Sequence, residues 1–440
     1  MKAVTQRHVD LPQGVGKLTP TWIAFFAAMA VISAMGAAAW SYQLNDSLIV
    51  TGLRNLGTGG GSPWGLYVAM DVYFVGVSFA GITIAAMIRL FDLARLRPVA
   101  RIAESLTVVS LILAGFTIMA DLGQPLRGFI NLFRYARPQS PFFGTFALVL
   151  AGYMFSSLVY LYLASRKDAA ALADYENNGL RWYHRLLAMG YKNTPEERER
   201  HRATSFWLAL AIIPLLIIAH STLGFVFGLQ VGRPGWFSAL QAPAFVALAG
   251  VSGIGLIIVF AFLVRLAIRG QDRLLPLGLF SMLGRFLMVL LFVYLYFMVV
   301  ELLTLTYASP ATEQRLSDAL LFGRYAPVYW GAVIALVGSA VALGIMALRR
   351  SWSLGWLVGI GVAVNLAAIA KRYLIVVPSQ THGMLLPYDV GTYWPNWVEV
   401  TIIIGLFAFG ALLLGVFVKT FPAVPISDDV PSQIEEVGRA

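Results

Sequence analysis

The sequence predicts an all-α integral membrane protein with ten transmembrane helices. Its 440 residues are 59% hydrophobic and only 12% charged, whereas soluble domains carry about 25% charged residues. Ten apolar runs approach the roughly 20 residues that a helix needs to cross a bilayer. These observations exclude a soluble enzyme. The net charge of +10 is then better explained by membrane topology than by a nucleic-acid partner.

The predicted helices follow one another along most of the chain. They cover residues 20–42, 64–88, 102–120, 142–164, 204–227, 243–264, 277–305, 327–348, 352–376 and 397–418. The first twenty residues are polar and lack the apolar stretch of a signal peptide. Residues 1–19 and 421–440 are therefore predicted to be terminal segments outside the membrane. The motif "TPEERERHRATSFW" predicts a short amphipathic helix leading into the fifth span.

The distribution of basic residues predicts the orientation. If the N-terminus is cytoplasmic, the inner segments hold 22 of the Lys and Arg residues and the outer segments hold 9. Basic residues concentrate in cytoplasmic loops. We therefore predict a multi-pass protein of a bacterial inner membrane with both termini in the cytoplasm.

The two halves of the chain share a weak repeat. Helix two contains "YFVGVSFAGITIAAMIRL" and helix six contains "ALAGVSGIGLIIVFAFLVRL", with Gly76 and Gly250 174 positions apart. Asp121 and Glu301 are 180 positions apart. Four passes per unit preserve the orientation, so the repeat is parallel. The sequence predicts a first four-helix bundle at 64–227, a second at 243–376, and peripheral helices at 20–42 and 397–418.

Several ionisable side chains lie within or beside these apolar runs, where lipid penalises charge and function often explains it. The outer group consists of Asp71, Asp121, His220, Glu301 and Glu399, and the inner group of Arg101, Glu104 and Arg285. Each has a structural alternative. Asp121 and Glu399 could cap helix ends, His220 could be a packing residue, and the inner group could form ion pairs. Lys371 and Arg372 could reach the membrane surface or pair with Glu301 or Asp71.

A quinone would suit the outer group, because its oxidation and reduction require a hydrogen-bond partner and a proton acceptor or donor. Asp71, His220 and Asp121 are the predicted catalytic residues. Tyr67 and Tyr73 are predicted to join Asp71 and His220 in binding the quinone. The predicted proton path consists of Arg101, Glu104, Arg285, Glu301 and Arg372. No metal site is predicted.

Two compositional features limit the cofactors. The chain has no cysteine, which excludes an iron–sulfur cluster held by its own thiolates. Of its five histidines, only His220 lies inside an apolar run, which argues against a haem held between two membrane histidines.

Motifs in both halves resemble the NrfD/PsrC family of quinone-interacting membrane subunits of bacterial redox complexes. The similar segments are "WGLYVAMDVYFVGVSFAGITIAA", "ADLGQPLRGF", "IAHSTLGFVFGLQVGRPGWFSALQAPAFVALAGVSG", "YFMVVELLTLTYA" and "AKRYLIVVPSQTHGMLLPYDVGTYWPNW". The resemblance covers about residues 20–420. The layout is similar to the larger ten-helix members found in alternative complex III, hydrogenase-2 and transmembrane cytochrome complexes.

The resemblance implies a function and a set of partners. The chain would exchange electrons between the quinone pool, menaquinone or ubiquinone, and an extracytoplasmic ferredoxin-like iron–sulfur subunit. Multihaem cytochrome or molybdopterin subunits are further possible partners, and lipid surrounds the chain. His220, Glu301 and Arg372 match recurring positions of the family. The resembling proteins carry a histidine in helix two, near the position that Ser78 or Phe79 occupies in this chain. Asp71 is therefore the candidate for the role of that histidine.

Two other function classes remain open from the sequence. A two-repeat ion or solute transporter could use the same carboxylates as coupling sites. A purely structural anchor for an extracytoplasmic redox enzyme would require no quinone at all. Copurification of an iron–sulfur subunit distinguishes the redox interpretation from the transporter, and an effect of quinone-site inhibitors distinguishes it from the anchor.

Overall fold

A computed structural model describes residues 11–55, 64–135, 137, 139–140, 147–175, 177–268, 273–307, 310–382 and 391–426. This described part is all-helical apart from its connections. Its α-helices are α1 (Pro20–Asp46), α2 (Leu66–Leu90), α3 (Ala100–Asp121), α4 (Pro125–Tyr135), α5 (Ala147–Ala173), α6 (Arg181–Ala188), α7 (Pro195–Gly228), α8 (Gln241–Ala267), α9 (Leu277–Thr306), α10 (Ala311–Leu321), α11 (Ala326–Leu348), α12 (Leu354–Thr381) and α13 (Trp397–Thr420).

Ten of these helices are long and apolar enough to span a membrane, which confirms the predicted number. The shorter α4, α6 and α10 lie between spans. Residues 142–146 of the fourth predicted span lie outside the described residues. The helix predicted to precede the fifth span is continuous with it. Thr194 and Glu197 form a capping box at the start of α7, so the polar segment and the apolar segment share one helix.

Helix α2 lies at the centre of the molecule and packs against α3, α7, α8 and α12. The same neighbour relations occur in each half: α2–α3, α3–α5, α5–α7 and α7–α2 correspond to α8–α9, α9–α11, α11–α12 and α12–α8. Helix α1 pairs with α13, which packs against α3. The boundaries of the two bundles stay predictions.

Small residues let the central helices approach closely, as expected for membrane helices. A Cβ added at Gly253 of α8 would lie 2.3 Å from the Ala80 Cβ and 2.7 Å from the Val77 carbonyl oxygen on α2. A Cβ added at Gly81 of α2 would lie 2.2 Å from the Thr107 hydroxyl on α3. The side chains of α2 are therefore held in fixed positions relative to both neighbours.

Candidate functional site

The predicted outer residues lie at one end of the helix bundle. Here α2 begins, α3 ends, α7 ends, α8 begins and α12 ends. We call it the Asp71 end. At the opposite end α2 ends and α3 begins, and we call that the Arg101 end.

Asp71 and Asp121 carry the most unusual polar atoms at the Asp71 end. Asp71 is 4% exposed. The Oδ1 atoms of both residues are buried, and neither has a hydrogen-bond partner among the described residues. The two carboxylates are also close enough to interact electrostatically. A buried acceptor without a donor is costly. These two carboxylate oxygens are therefore suited to accept a hydrogen bond from a ligand, or to bind a proton.

Tyr67 belongs to the same region but its hydroxyl is already bonded. It donates to the side-chain oxygen of Gln43 on α1, and the Gln43 amide in turn donates to the carbonyl of Ala120 at 2.7 Å. Tyr67 thus ties α2 to α1 and α3. Sequence reasoning missed Gln43, although an amide side chain directly after the apolar run 20–42 is a recognisable signal.

Glu399 is a structural residue of this end. Its Oε2 accepts hydrogen bonds from the backbone N–H of Gly52 at 2.8 Å and of Asn396 at 2.9 Å. The Tyr393 hydroxyl donates to Oε1, and it accepts from the N–H of Leu66 at 2.7 Å. Burial and the neighbouring Glu399 carboxylate raise the pKa of Tyr393 above its usual range. Glu399 therefore joins the starts of α2 and α13, beyond the simple helix cap considered from the sequence.

The hydrogen-bond partners of His220 are two backbone carbonyls and not the Asp71 carboxylate. Its Nε2 is 2.8 Å from the carbonyl oxygen of Val75 on α2, and its Nδ1 is 2.9 Å from the carbonyl oxygen of Leu216. Phe79 and Tyr153 pack edge-on against the imidazole. A neutral imidazole has one N–H and satisfies one of these two carbonyls. The ring is 1% exposed, so it positions α7 against α2 one turn from Asp71.

Tyr73 points towards the second half of the chain. Its hydroxyl donates to Asn365 Oδ1 on α12 at 2.8 Å, and the Asn365 amide donates to the Gly361 carbonyl at 2.7 Å. Tyr73 and Tyr67 therefore bond to different helices. The structure does not bring all predicted quinone-binding residues into one pocket.

The predicted inner residues divide into two separate places. Arg101 pairs with Asp168 at 2.6 Å, and Arg89 pairs with Glu104 at 2.9 Å. The exposed Arg285 instead has its guanidinium 5.6 Å from the centre of the Trp352 ring. Arg285 joins neither ion pair, and its place on the proton path stays a prediction. Sequence reasoning also missed Asp168, which lies just beyond the predicted fourth span at 142–164.

A cavity of about 430 Å³ opens between α8, α9, α10 and α12 at the Asp71 end. Arg372, Tyr294 and Phe245 line its inner part, and Glu301 and Glu313 line its outer part. The Arg372 guanidinium lies 4.1 Å from the centre of the Phe245 ring. One nitrogen, Nη2, donates to the Phe245 carbonyl at 3.2 Å, whereas the buried Nη1 has no partner among the described residues.

Lys371 pairs with Glu301, which was one of the arrangements that the sequence left open for Lys371 and Arg372. The Lys371 ammonium pairs with Glu301 at 3.2 Å and lies over the Tyr329 ring. Arg372, the next residue, faces the cavity and has no carboxylate within ion-pair distance among the described residues. Of the two neighbouring cations, Lys371 is therefore neutralised inside the protein by Glu301. Arg372 keeps an N–H donor, at Nη1, that has no partner among the described residues.

The sequence is similar to those of known proteins over most of its length. The sequence profile described as polysulphide reductase, NrfD, matches residues 54–382. A candidate membrane subunit of a dimethyl sulfoxide reductase from Halobacterium salinarum is 30% identical over 431 residues, which cover 92% of each chain. A subunit of selenate reductase from Mesobacillus selenatarsenatis is 25% identical, covering 90% of this chain and 93% of that one. An Hdr-like menaquinol oxidoreductase integral membrane subunit of Archaeoglobus fulgidus is 26% identical, covering 92% and 94%.

Proposed function

Because the chain belongs to the polysulphide reductase NrfD family, we propose that it is the quinone-interacting membrane subunit of a respiratory redox complex. The similar proteins named above are subunits of reductases or oxidoreductases, which supports redox partner subunits here. The partner proposed is an extracytoplasmic ferredoxin-like iron–sulfur protein, with multihaem cytochrome or molybdopterin subunits beyond it. The chain itself would sit in a bacterial inner membrane with both termini in the cytoplasm, as the distribution of Lys and Arg supports.

The observation that carries the proposal is the pair of unpartnered carboxylate oxygens on Asp71 and Asp121. Oxidation of a quinol releases two electrons and two protons. Asp71 and Asp121 would accept hydrogen bonds and then protons from the two-hydroxyl head group. The electrons pass to the iron–sulfur partner, and the protons leave at the Asp71 end. In a complex that runs as a quinone reductase, the same carboxylates donate protons instead.

His220 enters this proposal as a positioning residue. Its hydrogen-bond distance to the Val75 carbonyl fixes the turn of α2 that follows Asp71. Tyr67 similarly holds the preceding turn through Gln43. Both residues would set the direction of the Asp71 carboxylate, because displacement of about 1 Å is enough to slow a proton transfer severely.

Proton coupling is a finer part of the proposal. A row of polar side chains descends α5 from beside His220 towards the Arg101 end: Tyr153, Ser157, Tyr160 and Asp168. Glu104 lies against this row, and its Oε2 is buried without a partner among the described residues. We place Glu104 on a route that resupplies Asp71 and Asp121 with protons from the Arg101 end when the complex reduces quinone, a reaction that consumes two protons. Glu104→Gln should abolish proton uptake from the Arg101 side in vesicles during quinone reduction while most quinol oxidation remains; unchanged uptake contradicts this route.

The main test measures quinol oxidation by the whole complex, purified through a tag on this chain. Asp71→Asn and Asp121→Asn should each lower turnover by a factor of about 10² or more, the range expected for removal of a proton acceptor. The matched control is Asp92→Asn, since Asp92 is an exposed aspartate paired with Arg97. Full activity in both variants, with the control unchanged, would refute the site.

A further inference from the structure

The second half of the chain repeats the geometry of the proposed quinol site with different side chains. Phe245 follows Asp71 by 174 positions, the same offset that separates Gly76 from Gly250. Both Asp71 and Phe245 lie in the second turn of their helices, α2 and α8. The cavity between α8, α9 and α12 therefore occupies the place that corresponds to the space between α2, α3 and α7.

Each half also has a cross-helix hydrogen bond, although the accepting carbonyls of Val75 and Phe245 are one helical turn apart in the 174-residue repeat. On α7, the His220 side chain reaches a backbone carbonyl of α2 at 2.8 Å. On α12, the Arg372 side chain reaches a backbone carbonyl of α8 at 3.2 Å. His220 has both ring nitrogens near carbonyl oxygens. Arg372 differs because its buried Nη1 has no partner among the described residues. The second half thus offers a free donor where the first half offers free acceptors.

We infer that this second cavity, built on Arg372, Tyr294 and Phe245, is a further binding site for a quinone head group. The inference rests on the proposed function for the class of ligand. The cavity measures about 430 Å³, within the usual range of about 300–1,000 Å³ for small-molecule pockets. An aromatic wall and a cationic donor suit a planar ring with a carbonyl oxygen, and Arg372 is only 2% exposed.

The charges of the lining favour a neutral ligand over an anion. Glu301 and Glu313 line the same cavity as Arg372. Lys371 neutralises Glu301 at 3.2 Å, and Glu313 accepts a hydrogen bond from the Gly235 N–H at 2.7 Å. Burial raises the pKa of Glu313, although this hydrogen bond opposes the shift. With Glu301 balanced by Lys371, a phosphate would still meet the Glu313 carboxyl beside the one arginine, whereas a neutral carbonyl requires only the arginine donor.

The mouth of the cavity is open to a membrane-soluble ligand. Phe237 and Val231, both 62% exposed, stand on its rim in the connection between α7 and α8. Both lie near helix ends, where the lipid meets the head-group layer. A ligand with an isoprenoid tail can therefore place its ring against Arg372 while its tail stays in lipid.

The two sites share one helix. The Nη2 atom of Arg372 would be 3.7 Å from a Cβ placed at Gly76, and Gly76 lies five residues after Asp71 on α2. Arg372 also interacts electrostatically with His220 across this helix. Arg372 therefore lies at the boundary between the halves.

The test is photolabelling of the full chain in lipid nanodiscs with a tritiated azido-quinone, followed by mass spectrometry of the labelled peptides. We expect label on α2 or α3 from the first site, and label on α8, α9 or the 229–240 connection from the second. Ala244→Trp should fill the cavity from its lining and remove at least nine-tenths of the second label. Arg372→Met should reduce it at least tenfold, and Arg372→Lys should reduce it less.

Controls separate folding from binding and the second site from the first. Gly331→Trp adds the same side chain on α11, where nothing lies within 4 Å of an added Cβ, and it should leave both labels unchanged. Asp71→Asn should lower only the first label. If Ala244→Trp leaves the α8 and α9 label intact, or if label appears only on α2 and α3, the second site is refuted. Label on α8 and α9 without label on α2 or α3 would keep this site and overturn the proposed one at Asp71.

Discussion

The substitution Asp168→Asn should strongly destabilise the protein, because it breaks an ion pair that is almost entirely buried. The side chains of Arg101 and Asp168 are 3% and 1% exposed and lie 2.6 Å apart. Removing one partner of such a pair leaves an uncompensated buried charge and costs about 3–5 kcal/mol. Asp168 also accepts a hydrogen bond from the Ile426 N–H at 3.1 Å. The same change should therefore loosen the segment that follows α13.

Reversible unfolding in mixed micelles of dodecyl maltoside and sodium dodecyl sulfate measures this cost as a change in unfolding free energy. The matched control is Asp92→Asn, which breaks an aspartate–arginine pair whose carboxylate side is 80% exposed and should cost less than about 1 kcal/mol. Arg101→Met combined with Asp168→Leu should cost less than Asp168→Asn alone, since no lone charge remains. A cost for Asp168→Asn no larger than that of the control would refute the buried-pair argument.

The same unfolding assay checks three further expectations. Gly81→Ala would place a methyl group 2.2 Å from a hydroxyl on α3 and should lower the free energy of unfolding by about 1–3 kcal/mol. The control Gly115→Ala, with nothing within 4 Å of the added methyl group, should be neutral or stabilising. Equal effects of the two substitutions would contradict the close packing of α2 and α3. Asn396→Ala removes the capping box of α13 and should cost about 1 kcal/mol; no change would mean that the cap is not formed. Glu301→Gln removes the counter-ion of Lys371, but Glu301 is 34% exposed, so solvent screening should limit the cost to about 1–2 kcal/mol; a cost matching that of Asp168→Asn would contradict this exposure.

The number of spans could be predicted from the sequence because bilayer thickness fixes the length of an apolar run. The residue at which a membrane helix begins is harder to predict. The fifth span begins at Pro195, well before the apolar run, because the capping box at Thr194 starts a helix whose first turns are polar. Hydropathy detects the apolar part of a helix and not its full extent.

Side-chain partners could be predicted less well, because they depend on the rotation of each helix about its axis. The sequence marks Asp71 as exceptional because it is a carboxylate inside an apolar run, and its Oδ1 has no partner among the described residues. The sequence did not reveal that His220 would be directed at the Val75 carbonyl. It also gave no sign of the cavity beside Arg372, which is formed by residues from α8, α9, α10 and α12 together.

The inner residues illustrate the same limit. Arg101 and Glu104 are three positions apart on α3, yet they pair with Asp168 of α5 and Arg89 of α2 respectively. Long-range partners of this kind follow from which helices are neighbours. A single sequence indicates these neighbours only through weak repeats such as Gly76 and Gly250.

The central claim is that the Asp71 carboxylate accepts a proton from quinol as electrons leave to an iron–sulfur partner. Its most direct test is rapid-freeze electron paramagnetic resonance of the purified complex after mixing with excess quinol. We predict that the wild-type complex and the Asp92→Asn control reduce the iron–sulfur cluster at the same rate, and that Asp71→Asn slows this single turnover by a factor of about 10² or more. Cluster reduction by Asp71→Asn at the wild-type rate would contradict the claim.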